Sequence, residues 1–264
     1  MNTPLSDGYH FPAEWEPHEA TWLTYPHHDD SFPGKLGSVY PAYLRFIAEI
    51  AKSEKVRINV PAAFKEQFIR QLNEANIDSR QVDIFERDSN DVWCRDHGPA
   101  FVVRDLFGRQ KAIVNWEFNA WGGKYPHDAD NRIAGAIAAD FGLPVYCPGI
   151  VMEGGSVEFN GQGTVITTRS CLLNPNRNPH LNQQDIEKYL RDYYGVHQVL
   201  WIGDGIAGDD TDGHIDDITR FTDANTIVTA VETDRNDSNY EPLKENLRIL
   251  KNIRLLNGRQ PDVV

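Results

Sequence analysis

Apolar residues along the chain follow two alternating spacings, one typical of helices and the other of strands. Tyr40 and Ile47 belong to a stripe with helical spacing, and the segment 56–60 then alternates as a strand does. A second helix is predicted over 64–75 and a second strand over 82–85. Because the two kinds of element alternate, the pattern predicts an α/β protein.

From residue 100 onward these elements recur as a unit of strand, strand, helix and strand. Three copies are predicted, with first strands starting at Ala100, Ser156 and Ile218. The third copy breaks off at Gly258, where a closing strand is expected, and the N-terminal elements resemble part of a further copy. Since no linker rich in glycine, serine or proline divides the chain, we expect a single domain over residues 1–264, with rotated copies of one unit around a common axis.

Three carboxylate-bearing motifs occupy the same place in successive units. They are the segments 93–99, 153–155 and 212–216. The steps from Asp96 to Glu153 and from Glu153 to Asp216 are 57 and 63 residues. Equivalent positions converge on the axis of such a fold, so the repeat predicts that these three carboxylates and His214 meet in one pocket. A further step of this size falls beyond Val264.

The first motif places Asp96 near Trp93, just before the strand predicted from Ala100. A buried carboxylate close to an aromatic ring suits a flat cation, which it can hold by hydrogen bonds to the edge and ring contact on the face. A structural ion pair between Arg95 and Asp96 is the alternative, and for this motif taken alone it is favoured.

In the second motif Glu153 is followed by two glycines. Glycine permits a tight turn or the close approach of a ligand to the backbone. An ordinary turn with a solvated glutamate is the alternative, and it is favoured when the motif is considered by itself.

The third motif supplies the strongest local signal. If its backbone is extended, His214 and Asp216 project from one face, which places a proton-transfer group beside an anchor for a cation. Five aspartates between Asp209 and Asp217 leave a metal-dependent hydrolase open as a competing function. Their spacing fits no calcium loop, and one histidine among aspartates is weak evidence for zinc. A solvated acidic turn is the remaining alternative.

The composition narrows the class of partner. The 39 acidic and 26 basic residues give a net charge of −13, which disfavours nucleic acid and anionic lipid as partners. No apolar run is long enough to cross a membrane, and the first 15 residues lack the features of a secretory signal. Three cysteines are too few for a disulfide scaffold and fit a reducing compartment, so a cytoplasmic location is expected.

Two further features are assigned no chemistry. Cys94, Cys147 and Cys171 are interpreted as buried structural thiols, none of them next to His214 in the repeat. The segment 203–208 has the spacing of a dinucleotide-binding loop, but no helix is predicted after it and aspartates follow, so dinucleotide binding is rejected.

Five motifs in order carry a family resemblance. They are Trp93–Pro99, the segment 118–125 (FNAWGGKY), Glu153–Gly155, the segment 171–179 (CLLNPNRNP) and Gly213–Asp216. Together they resemble agmatine deiminases and, more broadly, the bacterial-type peptidyl-arginine deiminase family of the guanidino-group-modifying superfamily. The likeness covers nearly all of the chain, from about Trp15 to the end. It implies a fivefold pseudosymmetric α/β propeller.

The resemblance also implies hydrolysis of a guanidino group to a ureido group and ammonia, without a metal or organic cofactor. In that family a cysteine thiolate attacks the guanidinium carbon, and water resolves the resulting thiouronium intermediate. By matching motifs, Asp96 and Asp216 would grip the guanidinium and Trp93 would pack near it. His214 would move protons, and Glu153 would orient His214 or help to hold the substrate.

One part of the family pattern has no counterpart here. The family's nucleophilic cysteine lies in a glycine-rich segment near the C-terminus, in the unit expected to be missing, and none of the three cysteines matches it. We therefore expect no turnover from this 264-residue chain. Agmatine is favoured as substrate, with peptidyl arginine or a non-catalytic guanidinium-binding module as alternatives. The sequence leaves a homo-oligomer open.

Overall fold

The computed structural model describes residues 2–264. Its strands are β1 (Ala20–Thr24), β2 (Lys55–Val60), β3 (Val82–Glu86), β4 (Ala100–Asp105), β5 (Arg109–Val114), β6 (Val145–Tyr146), β7 (Val157–Phe159), β8 (Thr164–Thr168), β9 (Gln198–Ile202), β10 (Thr219–Phe221), β11 (Thr226–Thr229) and β12 (Asp262–Val263). Its α-helices are α1 (Leu36–Ile50), α2 (Lys65–Glu74), α3 (Cys94–His97), α4 (Ala120–Gly123), α5 (Ile133–Phe141), α6 (Arg169–Leu172), α7 (Gln183–Tyr194) and α8 (Tyr240–Leu250). Within residues 2–264, every helix is too short or too polar to cross a membrane.

The chain forms two compact units. The smaller unit comprises residues 17–98 and 126–133, and the larger unit comprises the remainder of the described chain. The smaller unit has one sheet and the larger unit has three, and each unit has an apolar cluster of its own.

The smaller unit contains one sheet of three parallel strands in the order β1-β2-β3. The helices α1 and α2 provide the connections that parallel pairing requires. Tyr25, Ile47, Ile58 and Phe68 are fully buried, so apolar side chains from both helices and from β2 form its core. The elements expected to belong to a further copy of the repeat thus form a sheet without a hairpin.

The larger unit contains three sheets with one common plan. In β4-β5-β6, β7-β8-β9 and β10-β11-β12, the first two strands are antiparallel and the third is parallel to the second. One or more helices precede the third strand in each case, which confirms the predicted unit of strand, strand, helix and strand.

The third copy does have a closing strand. Thr226 pairs with Asp262 and Ile227 pairs with Val263 in a parallel register. The expectation that the copy ends at Gly258 without this strand is therefore wrong. The strand escapes detection because two residues are too few to establish an alternating pattern.

Local sequence explains where α7 begins and ends in the larger unit. Asn182 and Asp185 form a capping box at the start of α7, and Gly195 ends it with a left-handed backbone at φ 67°. Ile186 and Leu190, four residues apart, are buried together on one face. This helix covers the sheet β7-β8-β9, whose central strand β8 is buried at every position.

Candidate functional site

Arg177 is the centre of a buried ion-pair network in the larger unit. Its side chain is fully buried, and its Nε donates to Glu153 Oε1 at 2.7 Å. Its Nη1 donates to Asp212 Oδ2 at 2.5 Å and to Asn176 Oδ1 at 2.8 Å. Its Nη2 donates to Thr211 O at 2.7 Å. The Arg177 guanidinium therefore connects the Glu153 turn and the loop around Asp212 by hydrogen bonds.

Asp212 is an anchored carboxylate. In addition to Arg177, it accepts hydrogen bonds from Asn176 Nδ2 at 2.9 Å and from Lys124 Nζ at 2.9 Å. Burial raises the pKa of Asp212, but these hydrogen bonds outweigh that effect and lower the pKa to about 2. Its backbone is held at φ 66°, a left-handed conformation uncommon for a residue other than glycine. The alternative of a solvated acidic turn is wrong at this residue.

Glu153 has a fully buried side chain, so the alternative of a solvated glutamate is also wrong. Its carbonyl accepts hydrogen bonds from Ser156 N at 3.1 Å and Ser156 Oγ at 2.6 Å, which close a short 3-10 turn over Gly154–Ser156. Burial raises the pKa of Glu153, and the Arg177 guanidinium opposes that rise. The double glycine therefore forms a tight turn, while the carboxylate faces the protein interior.

His214 and Asp216 lie at a bend and not in a strand. His214 Nδ1 is 3.8 Å from Asp216 Oδ1, and the two side chains are 3% and 18% exposed. The backbone N–H of His214 donates to Thr211 Oγ1 at 3.1 Å, and that of Asp216 donates to Gly155 O at 3.3 Å. The second hydrogen bond connects this bend to the Glu153 turn, as the repeat predicted for the two motifs.

A thiol lies beside these groups. The Cys171 sulfur, a Glu153 carboxylate oxygen and a His214 ring nitrogen all lie within 4.8 Å of one another. Thr168 produces this proximity, because its Oγ1 accepts from Cys171 N at 3.2 Å and donates to Gly213 O at 2.5 Å. The expectation that no cysteine lies next to His214 is therefore wrong. The repeat did not predict this contact between α6 and the loop that precedes β10.

The grouping has definite chemical capabilities. A neutral imidazole can take a proton from one reactant and return it to another, and a nearby carboxylate can orient it. Carboxylates also hold guanidinium ions through paired, charge-assisted hydrogen bonds. The larger unit thus supplies a proton-transfer group, His214, beside the carboxylates Glu153 and Asp216. The Cys171 thiol, Glu153 and His214 are also side chains of the types that coordinate a metal ion.

Two glycines allow the His214 loop to take its position. A Cβ on Gly205 would lie 2.4 Å from Gly213 Cα, and a Cβ on Gly213 would lie 2.2 Å from Ser170 Oγ. Gly213 also has φ 103°, which favours glycine. Gly205 belongs to the segment 203–208, which is followed by no helix before α8, as expected when dinucleotide binding was rejected.

Trp93 and Asp96 lie in the smaller unit, where α3 follows Trp93. The Asp96 N–H donates to Trp93 O at 2.9 Å, and the Asp96 residue is only 9% exposed. The Trp93 ring is 48% exposed and its centroid is 6.5 Å from that of Phe32. Cys94 begins a helical turn that ends before Gly98.

The loop before α3 is held by a buried carboxylate. Asp130 accepts from Asn90 N at 2.7 Å through Oδ1 and from Asp91 N at 3.1 Å through Oδ2. Asn90 Oδ1 in turn accepts from Ala129 N at 2.7 Å. Burial raises the pKa of Asp130 to about 7, although these backbone hydrogen bonds act in the opposite direction. The segment 126–133 therefore fixes the loop that leads to Trp93.

The three cysteines differ in exposure. Cys147 is exposed, which contradicts its assignment as a buried thiol, whereas Cys171 is buried as expected. The Cys94 residue is partly exposed, but its sulfur donates to Trp22 O at 3.2 Å, and burial raises the pKa of this thiol to about 12. The thiolate is the reactive form, so only Cys147 is well placed to react with reagents in solution.

Titration with an aromatic disulfide such as dithiobis(nitrobenzoic acid) should therefore detect one rapidly reacting thiol in the native chain and all three in denaturant. Cys147→Ser should remove the rapid phase, whereas Cys94→Ser should leave it unchanged. Two rapid thiols in the native protein would contradict the burial described for Cys94 and Cys171.

Arg177 belongs to the candidate site, but the sequence pattern does not identify it. It lies within the motif 171–179, where its spacing indicates no role. A usable signal existed, because Arg177 is the one charged residue in a segment otherwise made of apolar residues, asparagine and proline. If such a segment is buried, its arginine requires an acidic partner, because charged residues are almost never fully buried unless they are paired. The identity of that partner depends on the fold.

Comparisons with known proteins show which family the chain belongs to. The profile of the Porphyromonas-type peptidyl-arginine deiminase family matches residues 10–264. An agmatine deiminase of Ectopseudomonas mendocina is 38% identical over 98% of this chain and 70% of its own length, and one of Pseudomonas putida is 39% identical over the same shares.

Solved structures give the same result. The agmatine deiminase of Enterococcus faecalis superposes with a TM-score of 0.92 at 34% identity, covering 100% of this chain and 72% of its own. A C. jejuni agmatine deiminase with a cysteine replaced by serine, solved with substrate bound, gives a TM-score of 0.84 at 31% identity, covering 97% of this chain and 73% of its own. The mixed α/β fold is therefore that of agmatine deiminase structures.

The matched profile spans all of the motifs that form the buried network and its neighbours. The chain belongs to the Porphyromonas-type peptidyl-arginine deiminase family.

Proposed function

We propose that the reaction of this family member is hydrolysis of the guanidino group of agmatine to N-carbamoylputrescine and ammonia, and that residues 1–264 supply its guanidinium-binding and proton-transfer groups. The observation that supports the proposal most is the grouping of His214 with Glu153 and Asp216, which offers a proton-transfer group beside carboxylates suited to a guanidinium. The agmatine deiminases among its relatives agree with this choice of substrate class.

Each residue has a distinct proposed role. Asp216 and Asp96 bind guanidinium nitrogens, and the exposed ring of Trp93 packs on the substrate. His214 protonates the departing ammonia and then activates water. Glu153, held by Arg177, orients His214. The convergence of Asp96 and Trp93 with the other three residues stays a prediction of the repeat.

Several finer points also stay predictions. We propose that residues 1–264 act as one pseudosymmetric propeller domain, that the attacking group is a thiolate that forms a thiouronium intermediate, and that no cofactor takes part. We also predict no turnover from residues 1–264, because none of the three cysteines matches the family's nucleophile. A cytoplasmic location and a homo-oligomer are likewise untested.

The direct test measures binding and turnover separately. Calorimetric titration of the chain with agmatine should give saturable binding, and Asp216→Asn should weaken it by about 10–150-fold, because a charge-assisted hydrogen bond contributes about 1.5–3 kcal/mol. Asp223→Asn is the matched control, since Asp223 lies on an exposed turn. If the two variants weaken agmatine binding equally, Asp216 does not belong to the binding site.

Ammonia release from the same samples tests the chemistry. We expect none from this chain with agmatine, arginine or an arginyl peptide. If turnover does occur, Cys171→Ser determines whether the thiol near His214 is the attacking group. Preferential binding of the arginyl peptide would support the peptidyl-arginine deiminase alternative, and agmatine binding without turnover in any form of the protein would support a guanidinium-binding module.

A further inference from the structure

Glu153, Cys171 and His214 form a group whose three side-chain types are common zinc ligands in proteins. Their donor atoms lie within 4.8 Å of one another, and all three residues are buried. In tetrahedral sites, metal–sulfur bonds of about 2.3 Å and metal–nitrogen bonds of about 2.0 Å bring the donors to within roughly 4 Å of one another. The three donors are therefore close to the spacing that a common ion requires.

The surroundings of the group also suit a metal. Glu153 uses Oε1 to accept from Arg177, whereas its buried Oε2 has no hydrogen-bond partner among residues 2–264. An unpaired buried carboxylate oxygen is costly, and coordination of a cation would satisfy it. Asp216 Oδ1 lies 3.8 Å from His214 Nδ1, which is longer than a hydrogen bond, and Nε2 is on the other side of the ring. In metal-binding histidines the nitrogen that does not bind the ion usually faces a carboxylate or a carbonyl.

We propose that Glu153, Cys171 and His214 form a binding site for a thiophilic divalent cation of the Zn²⁺ or Cd²⁺ type. The thiol loses its proton on binding and becomes the sulfur ligand, with Glu153 Oε2 and His214 Nε2 as the other two protein ligands. Thiolate and imidazole select such ions over Mg²⁺ and Ca²⁺. Arg177 serves as the outer partner that orients Glu153.

The neighbouring acidic loop is a poorer site for a cation. Asp209 accepts from the backbone N–H groups of Thr211 and Gly213, at 2.7 Å each. Asp212 is paired with Arg177 and Lys124. Because their oxygens are already used within the protein, Asp209 and Asp212 are less available to a cation than the Cys171 group.

The bound ion would block the proposed proton transfer at His214 and would not serve as a cofactor. A metal on Nε2 prevents His214 from accepting or donating a proton at that atom. This consequence rests on the proposed function, whereas the site itself does not. Metal binding is therefore measured in the absence of substrate, so that failure of the deiminase proposal leaves the result intact.

The test uses Cd²⁺ titration of the reduced native chain, followed by the ultraviolet sulfur-to-cadmium charge-transfer absorption. One equivalent should saturate the band, Zn²⁺ should compete and Mg²⁺ should not. Cys171→Ser should abolish the band and weaken binding by more than about tenfold, since loss of even an outer partner costs about 10–100-fold. Cys147→Ser is the matched control and should retain both. A band that depends on Cys147 and not on Cys171 would overturn the proposal.

A second measurement does not depend on the folding of any variant. X-ray absorption at the zinc edge of the unaltered chain with one equivalent of Zn²⁺ should show one sulfur and two or more nitrogen or oxygen ligands. A shell without sulfur, or the absence of stoichiometric Zn²⁺ binding, would refute the site.

Discussion

Replacing Arg177 by methionine is expected to lower the free energy of unfolding by about 3–5 kcal/mol, because removal of one partner from a buried ion pair leaves an uncompensated charge. Arg177 and Glu153 are both fully buried, and the same guanidinium also holds Asp212. Methionine retains much of the apolar volume, so the loss reports the charge and the hydrogen bonds. Urea or guanidinium unfolding followed by tryptophan fluorescence measures it.

Two further variants separate the buried charge from the loss of a side chain. Arg248→Ala removes an exposed pair with Glu245 that has two hydrogen bonds, and it should leave the unfolding midpoint unchanged. Adding Glu153→Gln to Arg177→Met should recover part of the stability, because no carboxylate then remains unpaired at that position. If the double variant is as unstable as Arg177→Met, the buried carboxylate is not the source of the loss.

Gly205→Ala should lower the free energy of unfolding by about 1–3 kcal/mol, the usual cost of forcing an extra carbon into a packed region. The new Cβ would meet Gly213 Cα at 2.4 Å and Gly213 N at 3.2 Å. Both atoms belong to the backbone, so no side chain can rotate away and the loop before His214 must move. Thermal or denaturant unfolding gives the magnitude, and hydrogen exchange at residues 209–216 should rise more than elsewhere.

Gly37→Ala is the matched control for the added methyl group. A Cβ on Gly37 meets no atom within 4 Å, and the residue lies in the first turn of α1. Alanine should therefore leave stability unchanged or raise it slightly. If Gly205→Ala is as harmless as Gly37→Ala, the close contact between the two glycines does not position the loop.

The order of the elements could be predicted because it depends on local patterns. Apolar spacing identified the hairpin β7-β8 and the helix α7, whose capping box and terminal glycine are encoded within a few residues. Short elements were less accessible. The four-residue α3 and the two-residue β12 have no periodicity of their own, and only pairing with distant residues or a backbone turn defines them.

The candidate site could be predicted only in part. Equivalent places in the repeat connected Glu153 with His214 and Asp216, and the hydrogen bond from Asp216 to Gly155 agrees with that connection. Within the larger unit, neighbouring copies of the repeat also contact each other through side chains whose positions do not recur from copy to copy. The role of Arg177 and the position of Cys171 depend on such contacts, and so neither could be read from spacing.

By itself the sequence determined the α/β class, the repeated unit of the larger part of the chain, and the family to which its motifs point. Tertiary structure alone decided that Glu153 is buried, that Arg177 compensates its charge, and that the Cys171 thiol lies beside His214. The physical reason is the range of the interactions. Hydrogen bonds and apolar spacing along one segment are written locally, whereas burial and charge pairing arise from residues that only the folded chain brings together.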